Sequence, residues 1–112
     1  MTSYILLVLL MLSMAMPVFS LDGSDALSTG AHLFENHCVG CHANGKNIIR
    51  RSKTLFKSDL CKQSIFDIQS IATIARAGIG QMTGYESELN FNEAQEISSW
   101  IYLQALNDWD EK

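Results

Sequence analysis

The sequence predicts an all-α fold in one small domain. Three observations carry that expectation. Apolar residues recur at helical spacing in several segments, with Ala94, Ile97, Ile101 and Ala105 marking one face of the clearest. Helix start and stop signals bracket those segments: Asn90 with Glu93 three residues on is a capping-box-like start, and Gly78 and Gly80 form a stop. No stretch alternates polar and apolar residues convincingly enough for a strand, and no repeat or low-complexity segment occurs. At 112 residues the chain has length for one domain.

From the N-terminus, Tyr4 to Phe19 is almost wholly apolar, interrupted by Ser13 and Pro17. The run is shorter than the roughly 20 apolar residues of a membrane-spanning helix. Pro17 ends it, and Ser20 supplies a small residue for cleavage, so residues 1–20 are expected to be an export signal and 21–112 the working domain. The alternative is an uncleaved anchor, since the segment lacks Lys and Arg. Ser24 or Asp25 can cap a helix running to about Asn36, with Leu27, Ala31 and Phe34 on one face. Cys38 to Lys53 has no period and reads as loop. A short helix is expected over Lys57–Gln63. A third, over Asp67–Ala77, is drawn from the spacing of Phe66, Ile68, Ile71, Ala72, Ala75 and Ile79. The last ends near Asn107. About four short helices result.

The composition is 47% hydrophobic and 18% charged, which excludes a disordered chain. A net charge of −4 disfavours nucleic acid and leaves room for a local basic docking surface. A domain this small has a thin core and usually needs a disulfide, metal or cofactor as a staple. Its three cysteines cannot all pair within the chain.

Cys38-Val39-Gly40-Cys41-His42 is C-x-x-C-H, the attachment sequence of a c-type haem. Two thiols three residues apart can each form a thioether to a vinyl group on one edge of the ring, and His42 is then placed to ligate the iron. A zinc site would need a second ligand pair, and Cys61, His32 and His37 have no recognisable spacing for one. A thioredoxin-like redox pair would need a βαβ pattern, which is absent.

Of the five methionines, Met1, Met11, Met14 and Met16 lie in the export segment, leaving Met82 as the candidate second iron ligand. It follows the Gly-rich turn Gly78-Ile79-Gly80-Gln81 and reads as an exposed-loop residue. Core packing of Met82, ligation by His32 or His37, and an open iron are the alternatives. A His/Met iron is saturated, which suits electron transfer rather than catalysis, and the thioether raises its potential. An open iron would instead mean a haem enzyme or gas sensor.

From Gly30 to the C-terminus the sequence resembles the cytochrome c6 family, small class I cytochromes c of oxygenic phototrophs. The resemblance rests on Gly30-Ala31, Leu33-Phe34-Glu35, the C-x-x-C-H motif, Gly45-Lys46-Asn47, Lys53-Thr54-Leu55 and Gly80-Gln81-Met82. It continues through Leu89, Trp100, Gln104-Ala105 and Trp109. It implies a class I cytochrome c fold around one covalent haem c, with the first and last helices crossing closely where Gly30 and Phe34 meet Trp100. It also implies a monomeric carrier, not an enzyme, in the thylakoid lumen or periplasm. Such a carrier takes electrons from the cytochrome b6f complex to photosystem I or a terminal oxidase. It has no small-molecule substrate, and it meets membranes only through its partners unless the N-terminus stays attached.

Three positions depart from the family pattern. Thr83 stands where Pro usually follows the axial Met. Ile74 replaces a Gln near the haem, as in c6-like paralogues of lower potential. Glu88 replaces an Arg that helps dock onto photosystem I. Together they point to a c6-like paralogue, or a tethered cytochrome, serving another oxidase or reductase. Cys61 is expected to be a partly buried free thiol, with intermolecular pairing as the alternative. Lys46, Arg50, Arg51 and Lys53 form a basic cluster, either solvated or facing a haem propionate or an acidic partner. Asp108, Asp110 and Glu111 read as a solvated acidic tail, and Tyr85 is expected beside the Met82 segment.

Overall fold

The computed structural model describes residues 23–110; the expected export segment, its cleavage position and Glu111 lie outside them. Helix α1 (Gly23–His37) is followed by a single turn, α2 (Val39–His42), and a 3-10 turn over Ala43–Gly45. After an irregular loop come α3 (Lys57–Lys62) and α4 (Ile68–Ala77). The two-residue strands β1 (Gly78–Ile79) and β2 (Met82–Thr83) follow, and α5 (Phe91–Leu106) closes the fold.

The frame is the packing of α5 against α1 and α4. Helix α5 starts where the capping box places it. Asn90 Oδ1 accepts from the Glu93 N–H at 2.9 Å, and Glu93 Oε1 accepts from the Asn90 N–H at 3.1 Å. Its expected face, Ala94, Ile97, Ile101 and Ala105, is buried, with Ser98 beside it. A Cβ at Gly30 would collide with the Glu96 carbonyl and stand 2.9 Å from Trp100 Cβ, so α1 and α5 cross with backbone nearly touching side chain. Phe34 then packs on Trp100 at 4.8 Å and on Trp109 at 5.4 Å between ring centroids. Asp67 caps α4 by accepting from the Ser70 N–H at 2.7 Å, and Ile71, Ala72 and Ala75 form its buried face.

Several expectations need correction. The motif segment is helical, not loop, which makes five helices among the described residues. Cys41 and His42 N–H both reach the Cys38 carbonyl, at 3.2 and 2.9 Å. One turn is too short to carry a readable apolar period. A hairpin exists where no strand is expected: Ile79 pairs with Met82 and Gly78 with Thr83. It forms because Gly78 (φ 78°) and Gly80 (φ 55°) take up left-handed backbone around the reversal. Phe66 and Ile79, counted toward the α4 face, lie outside that helix and are exposed. Cys61 sits on α3 as expected, but it is exposed. Among the described residues no helix is long and apolar enough to cross a membrane.

Candidate haem site

A cavity of about 470 Å³ opens beside the α1–α5 crossing. The chain brings Cys38, Cys41 and His42 to its wall from α2 and the residue before it, and Met82 from β2. The rest of the wall is largely apolar, with Phe34, Leu55, Leu60, Ile65, Ile71 and Ile101 among the contributors. Size and lining both match a cofactor cavity.

His42 is buried, with 8% of its surface exposed, and burial pushes its imidazole below the ordinary value despite the backbone contact to Lys46. That contact sets the tautomer. The Lys46 carbonyl, 2.9 Å from Nδ1, can only accept, so Nδ1 carries the proton and Nε2 keeps its lone pair. Burial, and then the neighbouring Cys41, push the Cys38 thiol up to about 11, so it stays protonated at neutral pH. Cys41 is exposed. Two thiols on one helical turn and an imidazole with Nε2 available fit the attachment of a haem c, and a thioether stands on the same cavity wall. By contrast, no group of three His, Cys, Asp or Glu among the described residues could hold a bare metal ion.

Met82 is half-buried in the hairpin rather than exposed on a loop. A Cβ at Gly78 would lie 2.5 Å from the Met82 carbonyl, so the strand pair closes only because that side chain is missing. Of the rival ligands, His32 is exposed on α1, whereas His37 lines the cavity with its ring 5.7 Å from that of Tyr85. Tyr85 also lines it, beside the Met82 segment as expected. From the basic cluster, Arg50 and Lys53 reach the wall, and Lys46 and Arg51 do not. Ile74 and Thr83 line the cavity. Glu88 is exposed and accepts from Ser87 Oγ at 2.8 Å, while Cys61 lies outside the wall.

Three supporting residues were not singled out for these roles from the sequence. Asn47 Oδ1 accepts from the Ile49 and Arg50 N–H groups at 3.0 and 2.8 Å, shaping the basic loop; an Asn ahead of a loop is the available signal. Trp109 is buried, and its Nε1–H donates to the Leu55 carbonyl at 3.0 Å, bracing that loop from the C-terminus. Arg76 reaches the chain beyond Met82, and an Arg in the last turn of a helix gives no hint of this contact.

Residues 25–101 match the family described as cytochrome c oxidase, cbb3-type, subunit III. A cytochrome c6-like protein of Nostoc sp. (strain PCC 7120) is 38% identical over 80 residues, covering 71% of this chain and 72% of the relative. A cytochrome c6 of Gloeothece citriformis is 31% identical over 103 residues, covering 92% and 90%. The crystal structure of cytochrome c6B from Synechococcus sp. WH8102 superimposes with a TM-score of 0.73 at 47% identity, over 76% of this chain and 97% of that one. Similarity over that share of both sequence and fold, around a cavity built for the cofactor, places the chain in the cytochrome c6 family, as a c6-like electron carrier with one covalently bound haem c.

Proposed function

We propose that the protein passes single electrons between redox protein complexes, and that Cys38 and Cys41 would hold the haem through thioethers while His42 and Met82 would ligate its iron. The observation that supports this is the convergence of these four side chains on one largely apolar cavity. When bound, haem c supplies an iron that gains and loses one electron. His42 presents Nε2 while the Lys46 carbonyl holds its ring and tautomer. Met82 supplies a thioether, which favours the ferrous state. Were both side chains to hold the iron, no position would stay open for oxygen or a substrate, which suits electron transfer rather than catalysis. The apolar wall disfavours the extra positive charge of ferric iron and raises the potential further. Arg50 and Lys53 provide cations for the propionates or for an acidic partner.

In this reading residues 1–20 direct export and are removed. The monomer then works in the thylakoid lumen or periplasm, taking electrons from the cytochrome b6f complex to photosystem I or a terminal oxidase. A second reading is a c6-like paralogue of lower potential with a different partner. Ile74 in the cavity wall and the exposed Glu88 support it, as does the greater identity with the c6-like and c6B relatives.

A spectroscopically monitored redox titration of the purified holoprotein separates the two. A high midpoint potential with the spectrum of thioether-ligated haem supports the first reading. A markedly lower potential with the same spectrum supports the second. Loss of the thioether signature from the wild type, with ready carbon monoxide binding, would overturn Met82 ligation in both.

A further inference from the structure

Arg76 lies in the last turn of α4, and its guanidinium touches the chain beyond β2 at three points. Nε donates to the Leu89 carbonyl at 3.2 Å. Nη2 stands 3.7 Å from Glu86 Oε1. Cζ lies 3.8 Å from the centre of the Phe91 ring. These contacts are unequal. The Glu86 side chain is 76% exposed, so that pair is screened and weak. Leu89 is completely buried, so its carbonyl depends on the charged donor where water does not replace it. Phe91, the first residue of α5, is 73% exposed and offers one ring face to the cation.

Met82 sits at the near end of the strapped segment. The hairpin that carries it has two residues per strand, and such a ladder is marginal alone. Further restraint comes from the Tyr85 N–H, which donates to the Ala75 carbonyl at 2.9 Å, and from Arg76. Without Arg76, the segment between Tyr85 and the α5 cap loses its side-chain tie to α4.

We propose that Arg76 is a positioning residue for Met82: by tying Leu89 and Phe91 to α4, it holds the connecting segment so that the thioether stays in the cavity. The proposal rests on Met82 being an iron ligand. A looser segment lets an external ligand displace the thioether more easily, while the α1–α5 frame is untouched.

The test uses the ferric holoprotein and imidazole as the competing ligand. Arg76→Met keeps an unbranched apolar stem but removes the donor and the charge. It is expected to bind imidazole about tenfold more tightly than wild type, equal to about 1.4 kcal/mol, and to weaken the thioether–iron charge-transfer band. Arg76→Lys, which keeps a cation without the planar fork, should fall between them. Glu86→Gln should match wild type. Met82→Ala distinguishes the two ways of failing. If Met82→Ala binds imidazole no more tightly than wild type, the ligand reading itself falls. If Met82→Ala binds far more tightly while Arg76→Met stays within about twofold of wild type, Arg76 is merely structural and the proposal is overturned, whatever happens to the unfolding midpoint. Should Arg76→Met not accumulate as holoprotein, Arg76→Leu, which also removes the donor and the charge, is held to the same criterion.

Discussion

At position 30 a single methyl group decides whether two helices can meet. A Cβ there would overlap the Glu96 carbonyl and crowd Trp100 Cβ. Helices α1 and α5 must then separate, and the Phe34–Trp100–Trp109 cluster loosens with them. Gly30→Ala is expected to destabilise the holoprotein by about 1–3 kcal/mol, read as a lowered midpoint in chemical denaturation, while the visible spectrum stays that of the wild type. An unchanged midpoint would mean that the crossing can relax without cost. Gly30 and Phe34 are legible in the sequence through the resemblance that carries them. Trp109 is only half legible: its presence is expected, but its hydrogen bond to the Leu55 carbonyl, 54 residues back along the chain, is not.

Among the elements, α4 connects the site to the frame. Its buried face packs on α5, its C-terminus runs into the Met82 hairpin, and Ile74 and Ala75 form part of the cavity wall. Its start depends on Asp67, whose carboxyl is held below the usual value by the Ser70 hydrogen bonds. Asp59 is likewise lowered, first by the hydrogen bond from Thr54 Oγ1 at 2.7 Å. A carboxyl with a depressed folded value stabilises the fold above its unfolded value and loses that contribution as pH falls through the folded one. Stability should therefore decline as pH drops below the ordinary aspartate value of 3.8. Asp67→Asn keeps a good capping side chain without the titration. Its unfolding midpoint should equal the wild type's at neutral pH and exceed it in acid. Parallel decline of both proteins would show that the cap carries none of the acid sensitivity. The long helices were legible because ten or more residues repeat an apolar face between caps. The one-turn α2 and the two-residue strands were not, since so few residues show no period and their hydrogen bonds depend on what packs around them.

The molecule as a whole is organised around a volume its own side chains do not fill. The cavity of about 470 Å³ is lined largely by apolar side chains that would face water without the cofactor. The haem is thus part of the core, the staple a chain of this size needs. A Cys38→Ala, Cys41→Ala double variant, which cannot attach it covalently, should show reduced helix content and a broad thermal transition by circular dichroism when isolated free of haem. A sharp transition near that of the holoprotein would show that the chain holds its shape unaided.

The sequence by itself determined the all-α class, the limits of the long helices and the C-x-x-C-H motif, all of which are local: spacing, caps and a pentapeptide are complete within a few residues. Only the tertiary structure brought Met82 to the same cavity as His42, forty residues away, and placed Arg50, Lys53 and Ile74 around it. It also exposed Cys61 and set Arg76 across the segment after Met82. These facts depend on how α1, α4 and α5 pack, since burial and neighbourhood are properties of the assembled core rather than of any residue's place in the chain.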